Sequence, residues 1–140
     1  PNPTPTLVPS PTRAATTESQ VLFQYSHALR LLKIREYKEA ISAFGIVIRI
    51  LPDFPLAYHG RGLAYHHTDR LELAMEDFDR AIDLKPDLAK AYHDRGVLKQ
   101  ELGDLDGAVA DLVTALSLYE NRGDESKIEQ VGRVLHQLNP

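Results

Sequence analysis

Apolar side chains recur along this chain at helical spacing, and the same series appears three times. Tyr37, Ala40, Ile41, Phe44, Val47 and Ile48 stand at i, i+3, i+4, i+7, i+10 and i+11. Leu71, Ala74, Met75, Phe78, Ala81 and Ile82 repeat those offsets, as do Leu105, Ala108, Val109, Leu112, Ala115 and Leu116. A stripe of that period is the buried face of a helix. Successive copies lie 34 residues apart, which marks an array of repeats. Small residues keep the same register, at Ala28, Gly62 and Gly96, at Ala40, Ala74 and Ala108, and at Val47, Ala81 and Ala115. Each period reads as two helices of about 13 residues joined by a tight turn. Gly62 against Ala74, and Gly96 against Ala108, let the paired backbones approach closely. A bulky side chain there would overpack the contact at a cost of about 1–3 kcal/mol.

The punctuation fits this frame. Asp53 and Asp87 are placed to cap the first helices of the second and third repeats. Gly103-Asp104 ends one helix and caps the next, and Thr68-Asp69 is expected to do similar work in the second repeat. Pro52 and Pro86 close second helices, because proline cannot continue the hydrogen-bond ladder. Asn121-Arg122-Gly123-Asp124 is a turn, and Asp124 can cap a last helix from about Glu125 to Leu138. Its apolar residues Ile128, Val131, Leu135 and Leu138 make one narrow stripe backed by polar residues. A repeat array needs such an element to cover its final face.

Helical periodicity starts near Val21. Residues 1–20 hold five of the nine prolines and read as an extended Pro/Thr-rich linker. Leu7-Val8, flanked by prolines, could act as a short ligand for this chain or a neighbour. The chain begins at Pro1 rather than Met, which reads as a fragment or a processed product.

The middle repeat carries a pattern as well as a period. Tyr58-x-x-Arg61-Gly62-x-x-Tyr65, then Ala74-x-x-x-Phe78, Ala81 and Pro86, resembles the tetratricopeptide repeat. Arg61 stands where that family usually has Leu. Repeat one has Gln24 at the aromatic column, and repeat three has Lys99, Leu112 and Glu120 at the Tyr, Phe and Pro columns. The resemblance spans about 100 of the 140 residues. It implies an all-α fold, a right-handed superhelical stack of three helix-turn-helix hairpins with a C-terminal solvating helix. The repeats would be 21–54, 55–88 and 89–122, within a domain of residues 21–140.

Charge adds one local expectation. Arg61 and Arg95 share a column, as do Asp77 and Asp111, while repeat one has His27 and Ala43 in those two columns. Both charges are absent together, so Arg61 is expected to pair with Asp77, and Arg95 with Asp111, inside each hairpin. The net charge of −4 gives no reason to expect a nucleic acid or an anionic membrane as partner. No apolar run approaches the roughly 18 residues of a membrane span. With no cysteine there is no thiolate or disulfide chemistry. Phosphate loops, nucleophile elbows, paired-His zinc helices and calcium loops are all missing from the sequence. The reading is therefore a protein without intrinsic enzymatic activity, cofactor or metal.

In the resembled family the first helices line a concave groove. The matching positions are Leu22, Tyr25, Leu29, Leu32 and Lys33 in repeat one. They are Leu56, His59, Leu63, His66 and His67 in repeat two, and Lys90, His93, Val97, Gln100 and Glu101 in repeat three. His59 and His93 share a column about 10 Å apart, too far to ligate one metal. These histidines are expected to hydrogen-bond a partner or face water, and would make binding sensitive to pH near 6.5. Family members that grip the carboxylate tail of chaperones do so with Lys, Asn and Arg. Here those columns hold Tyr25, Leu29, Gly60, Lys90 and Asp94, so only Lys90 matches. The favoured reading is a scaffold that takes a protein or peptide in this groove. The alternatives are a self-associating module whose groove accepts a neighbour's Pro-rich arm, giving a homo-oligomer, and a regulatory part of a larger protein.

Overall fold

The computed structural model describes Pro3 and residues 13–138. Among these residues there are seven helices and no strand. In chain order they are α1 (Arg13–Lys33), α2 (Tyr37–Ile50), α3 (Pro55–His67), α4 (Leu71–Leu84), α5 (Ala89–Glu101), α6 (Leu105–Arg122) and α7 (Glu125–Leu138). The three apolar stripes become the inner faces of α2, α4 and α6. Phe44, Phe78 and Leu112, at the centre of each stripe, are completely buried. Helices pair as hairpins α1–α2, α3–α4 and α5–α6. Each second helix also packs on the next first helix, and α7 closes against α6. No described helix is long and apolar enough to cross a membrane.

The small residues admit large apolar side chains more closely than they admit other small residues. A methyl group at Gly62 would lie 2.7 Å from Cε1 of Phe78, and one at Gly96 would lie 2.9 Å from Cγ of Leu112. Gly60 takes the ring of Phe44 from the hairpin before it. Gly62 therefore faces Phe78 rather than Ala74, because a small residue on the first helix makes room for the largest one on the second. Gly96 does touch Ala108, through its carbonyl oxygen.

The three hairpin turns are built alike. Arg35, Asp69 and Gly103, one period apart, all adopt left-handed backbone, with φ of 67°, 59° and 85°. The residue after each closes back five positions, from Glu36 N–H to Leu31, Arg70 to Tyr65 and Asp104 to Lys99, each at 2.9 Å. This Schellman pattern satisfies carbonyls that the helix end leaves open. Of the three, only Gly103 adopts that backbone without steric cost.

Several boundaries differ from expectation. Helix α1 starts at Arg13, not near Val21, because nothing after Pro11 interrupts a helix and Ala14-Ala15 favour one. Residues 13–20 are therefore helical rather than extended, and Leu7-Val8 lies outside the described residues. Asn121 and Arg122 belong to α6, because a single left-handed residue, Gly123 at φ 68°, is enough to end it. Asp53 and Asp87 do not cap. The cap positions are Phe54 and Leu88, without side-chain bonds. At α3 the first helical residue is Pro55, which has no N–H to satisfy. Arg70 at the cap position of α4 makes no side-chain bond, and the Thr68 hydroxyl donates back to Ala64 and Tyr65. Asp104 and Asp124 do accept, from Gly107 N–H at 2.9 Å and Lys127 N–H at 3.2 Å. The loops between hairpins are tied by tyrosine: Tyr58 donates to the Pro52 carbonyl at 2.7 Å, and Tyr92 to that of Pro86 at 2.9 Å.

Candidate binding groove

The expected cross-hairpin pairs form. Arg61 donates from Nε and NH2 to both oxygens of Asp77, each at 2.8 Å. Arg95 does the same to Asp111 at 2.7 Å, and also reaches Asp79 on the neighbouring hairpin at 2.7 Å. Both carboxylates are buried. Burial pushes the Asp77 carboxyl above its ordinary range, and Arg61 only partly offsets it. For Asp111 the same burial is outweighed by Arg95 and by Lys99, whose Nζ lies 2.9 Å away, so that carboxyl sits below its ordinary range. Arg61 also lies over the Tyr58 and Tyr65 rings, at 5.8 and 5.7 Å.

These pairs fix α3 against α4 and α5 against α6, and so help to set the face that these first helices present beside α1. Neighbouring first helices meet with an offset of 35 residues. Nε2 of His59 donates to Oδ2 of Asp94 at 2.6 Å, and Nε2 of His66 to Oε2 of Glu101 at 2.7 Å. His67 stacks on Tyr37 with centroids 4.6 Å apart, and the His66 ring lies 6.1 Å from that of His67.

The fifteen expected groove residues fall into three depths. His59 and His93 are buried, contrary to the expectation that they face water. The floor is dry because Phe78 packs under His59, with centroids 5.9 Å apart. Tyr25, Leu32, Leu56, Leu63, His66, Lys90, Val97 and Gln100 are half-buried, with the Tyr25 ring held against Phe44 and Phe54. Leu22, Leu29, Lys33, His67 and Glu101 are exposed. Burial lowers the pKa of Lys90 and of His93. His67 is lowered too, first by desolvation and then by His66 and Arg35.

Three partners in this face do not follow from the sequence reading. Asp94, a poor match to a carboxylate clamp, instead holds His59. Glu101, a groove position, binds His66, and Tyr37, a residue of the apolar stripe, stacks on His67. The signal was available, since Asp94 and Glu101 both stand one period plus one residue from a histidine. Among the described residues no three His, Asp or Glu side chains converge as a metal site would need.

A family model described as tetratricopeptide repeat matches residues 25–89, and a second of the same description matches residues 89–122. The chain belongs to the tetratricopeptide repeat family. No curated protein matches the sequence. Among solved structures, the tetratricopeptide fold is shared with the TPR2B domain of yeast Sti1 in complex with pHsp70. That match has a TM-score of 0.81 at 15% identity and covers 86% of this chain and 96% of that one. SycD, a type III secretion translocator chaperone of Yersinia enterocolitica, gives a TM-score of 0.82 at 16% identity, covering 86% and 84%. The first TPR of Spaghetti (RPAP3), bound to the HSP90 peptide SRMEEVD, gives 0.70 at 24% identity, covering 84% and 94%.

Proposed function

We propose that the protein is a non-catalytic interaction module that receives a partner peptide or domain on the joint face of α1, α3 and α5. The observation that carries this is the column Leu29, Leu63 and Val97. These three residues are apolar, incompletely buried, and repeated once on each first helix. The polar groups around them are already spoken for, His59 by Asp94 and His66 by Glu101. What remains open to a partner is apolar contact, framed by Lys33 and His67 toward one end and Lys90 at the other. Covering one Leu side chain contributes about 1.5–3 kcal/mol, enough for a few anchors to hold a short segment. Similar folds whose structures contain pHsp70 or an HSP90 peptide support the use of such a surface for binding. The acidic-tail preference does not transfer, because Asp94 puts a carboxylate where a cation would be needed.

The test is affinity capture with the whole chain against Leu63→Glu and Val97→Glu, with helicity checked by circular dichroism. Each substitution is expected to lower retention of a bound partner at least about tenfold. An identical set of captured proteins for all three chains would show that the partner sits elsewhere.

A further inference from the structure

Helix α1 buries one face through Val21, Tyr25, Ala28, Leu31 and Leu32. The opposite face holds Glu18, Leu22, Phe23, Ser26, Leu29, Arg30 and Lys33, all exposed. Leu22 and Phe23 keep 64% and 69% of their surface, more than any other large apolar residue described. At 3.6 residues per turn these side chains occupy a sector of roughly 140°. Ser26 lies near the middle. Leu22, Leu29 and Glu18 lie toward one edge, with Lys33 on the same side of the midline, and Phe23 and Arg30 lie toward the other. Neither Glu18 nor Lys33 has an ion-pair partner among the described residues. Among the described residues Arg30 reaches only His27, on its own helix.

We propose that this face pairs with the same face of a second copy, antiparallel, about a two-fold axis passing beside Tyr25–Ser26. Such an axis lies in the contact plane and keeps each edge facing itself while reversing the helix direction. Leu22 of each copy then meets Leu29 of the other, and Glu18 meets Lys33, both exchanges centred on the same point. On the other edge Phe23 comes opposite Arg30, whose guanidinium can lie over the ring. The small Ser26 at the crossing lets the two helices approach closely. A parallel pairing would instead set Lys33 against Lys33.

Continuation of the array fits this face poorly. In the inner hairpins the Phe23 column holds Ala57 and Ala91, both completely buried against the preceding hairpin. A phenylalanine there occupies the space the preceding second helix would need. The contact spans one helix pair, so it belongs to the small, weak class of interfaces.

Sedimentation equilibrium of the whole chain, at concentrations from about 10 µM to 1 mM without peptide, tests this. The weight-average mass is expected to rise from 15.7 kDa toward double that value. Leu29→Asp abolishes the rise. Glu18→Lys and Lys33→Glu each weaken dimerisation about tenfold at low salt, and the two together restore it. A chain that stays monomeric at the highest concentration overturns the proposal, whether the face is then bare or covered by residues 1–12. So does a dimer that the double charge exchange fails to restore. The readout is mass alone, so failure here leaves the Leu63 and Val97 test untouched, and the reverse.

Discussion

Hairpins α1–α2 and α3–α4 bury a phenylalanine at the same place, Phe44 and Phe78, yet differ in what lies beside it. The inner hairpin has Arg61 on Asp77, and the outer one has His27 and Ala43. Both close tightly, so the apolar stripe and the small facing residue are sufficient to make the hairpin. The ion pair does a different job. A carboxylate buried like Asp77 is tolerable only opposite its arginine, so any slip of α3 along α4 leaves it unpaired at a cost of several kcal/mol. The pair occurs where a hairpin is covered by another in front of it, and is missing where, among the described residues, no hairpin stands in front. Register, more than stability, is what the difference teaches.

The strongest way to break the comparison is at the shared ring. Phe44→Ala and Phe78→Ala should each cost about 3–5 kcal/mol in urea unfolding, with Phe78 the larger because it also supports His59. A smaller loss at Phe78 would mean that the inner hairpin depends chiefly on its ion pair. Next comes the pair itself. A double-mutant cycle at Arg61 and Asp77 should give a coupling of about 1–3 kcal/mol. His27→Arg with Ala43→Asp should give under about 1 kcal/mol, since among the described residues no hairpin packs in front of that position. Equal couplings would refute the idea that a covering hairpin matters.

Much of this contrast was legible beforehand. The stripes, the period, the arginine–aspartate columns and the closing helix follow from side-chain type at fixed spacing. The caps at Asp53 and Asp87 did not follow, because a capping residue declares only the capacity to accept a hydrogen bond. Pro55 and the preceding turn decided those ends instead. The groove was legible by position but not by depth. Phe78 lies under His59 because of how α3 crosses α4, and Asp94 comes within 2.6 Å of it because of how the hairpins stack, which a spacing of one period plus one residue only hints at. Helix α1 is longer than its apolar period because the prolines end at Pro11 while residues 13–20 carry no helix breaker.

Two smaller effects sharpen the comparison between hairpins. Asp111, held low by Arg95 and Lys99, contributes stability that is present above pH about 4 and lost as pH falls through its folded value. Asp77, raised by burial, has the opposite sign, its carboxylate form being less favoured in the fold than in the open chain. Thermal melts between pH 3 and 6 should therefore show opposite slopes when wild type is compared with Asp111→Asn and with Asp77→Asn. The same slope for both would contradict the part given to Lys99. Smallest of all is the turn. Asp69→Gly should be neutral to stabilising by up to about 1 kcal/mol, and Gly103→Ala should cost about as much, in denaturant titrations.

The bonds that cross from one hairpin to the next are unevenly distributed. Hairpins α3–α4 and α5–α6 are joined by His59–Asp94, His66–Glu101 and Arg95–Asp79, and Arg122 ties the end of α6 to the Asp87 carbonyl. Hairpins α1–α2 and α3–α4 meet through rings, Tyr25 on Phe54 and Tyr37 on His67. In a chain of nearest-neighbour couplings a terminal hairpin is held by one joint and an inner hairpin by two, so the end opens first. Amide exchange should then run ahead in α1 and α2 as a block, with α3 through α7 holding as a second, slower unit. The protein would behave as a firm wall with one hinged leaf, and that leaf carries Leu22, Phe23, Leu29 and Ile34, four of the nine exposed large apolar residues described.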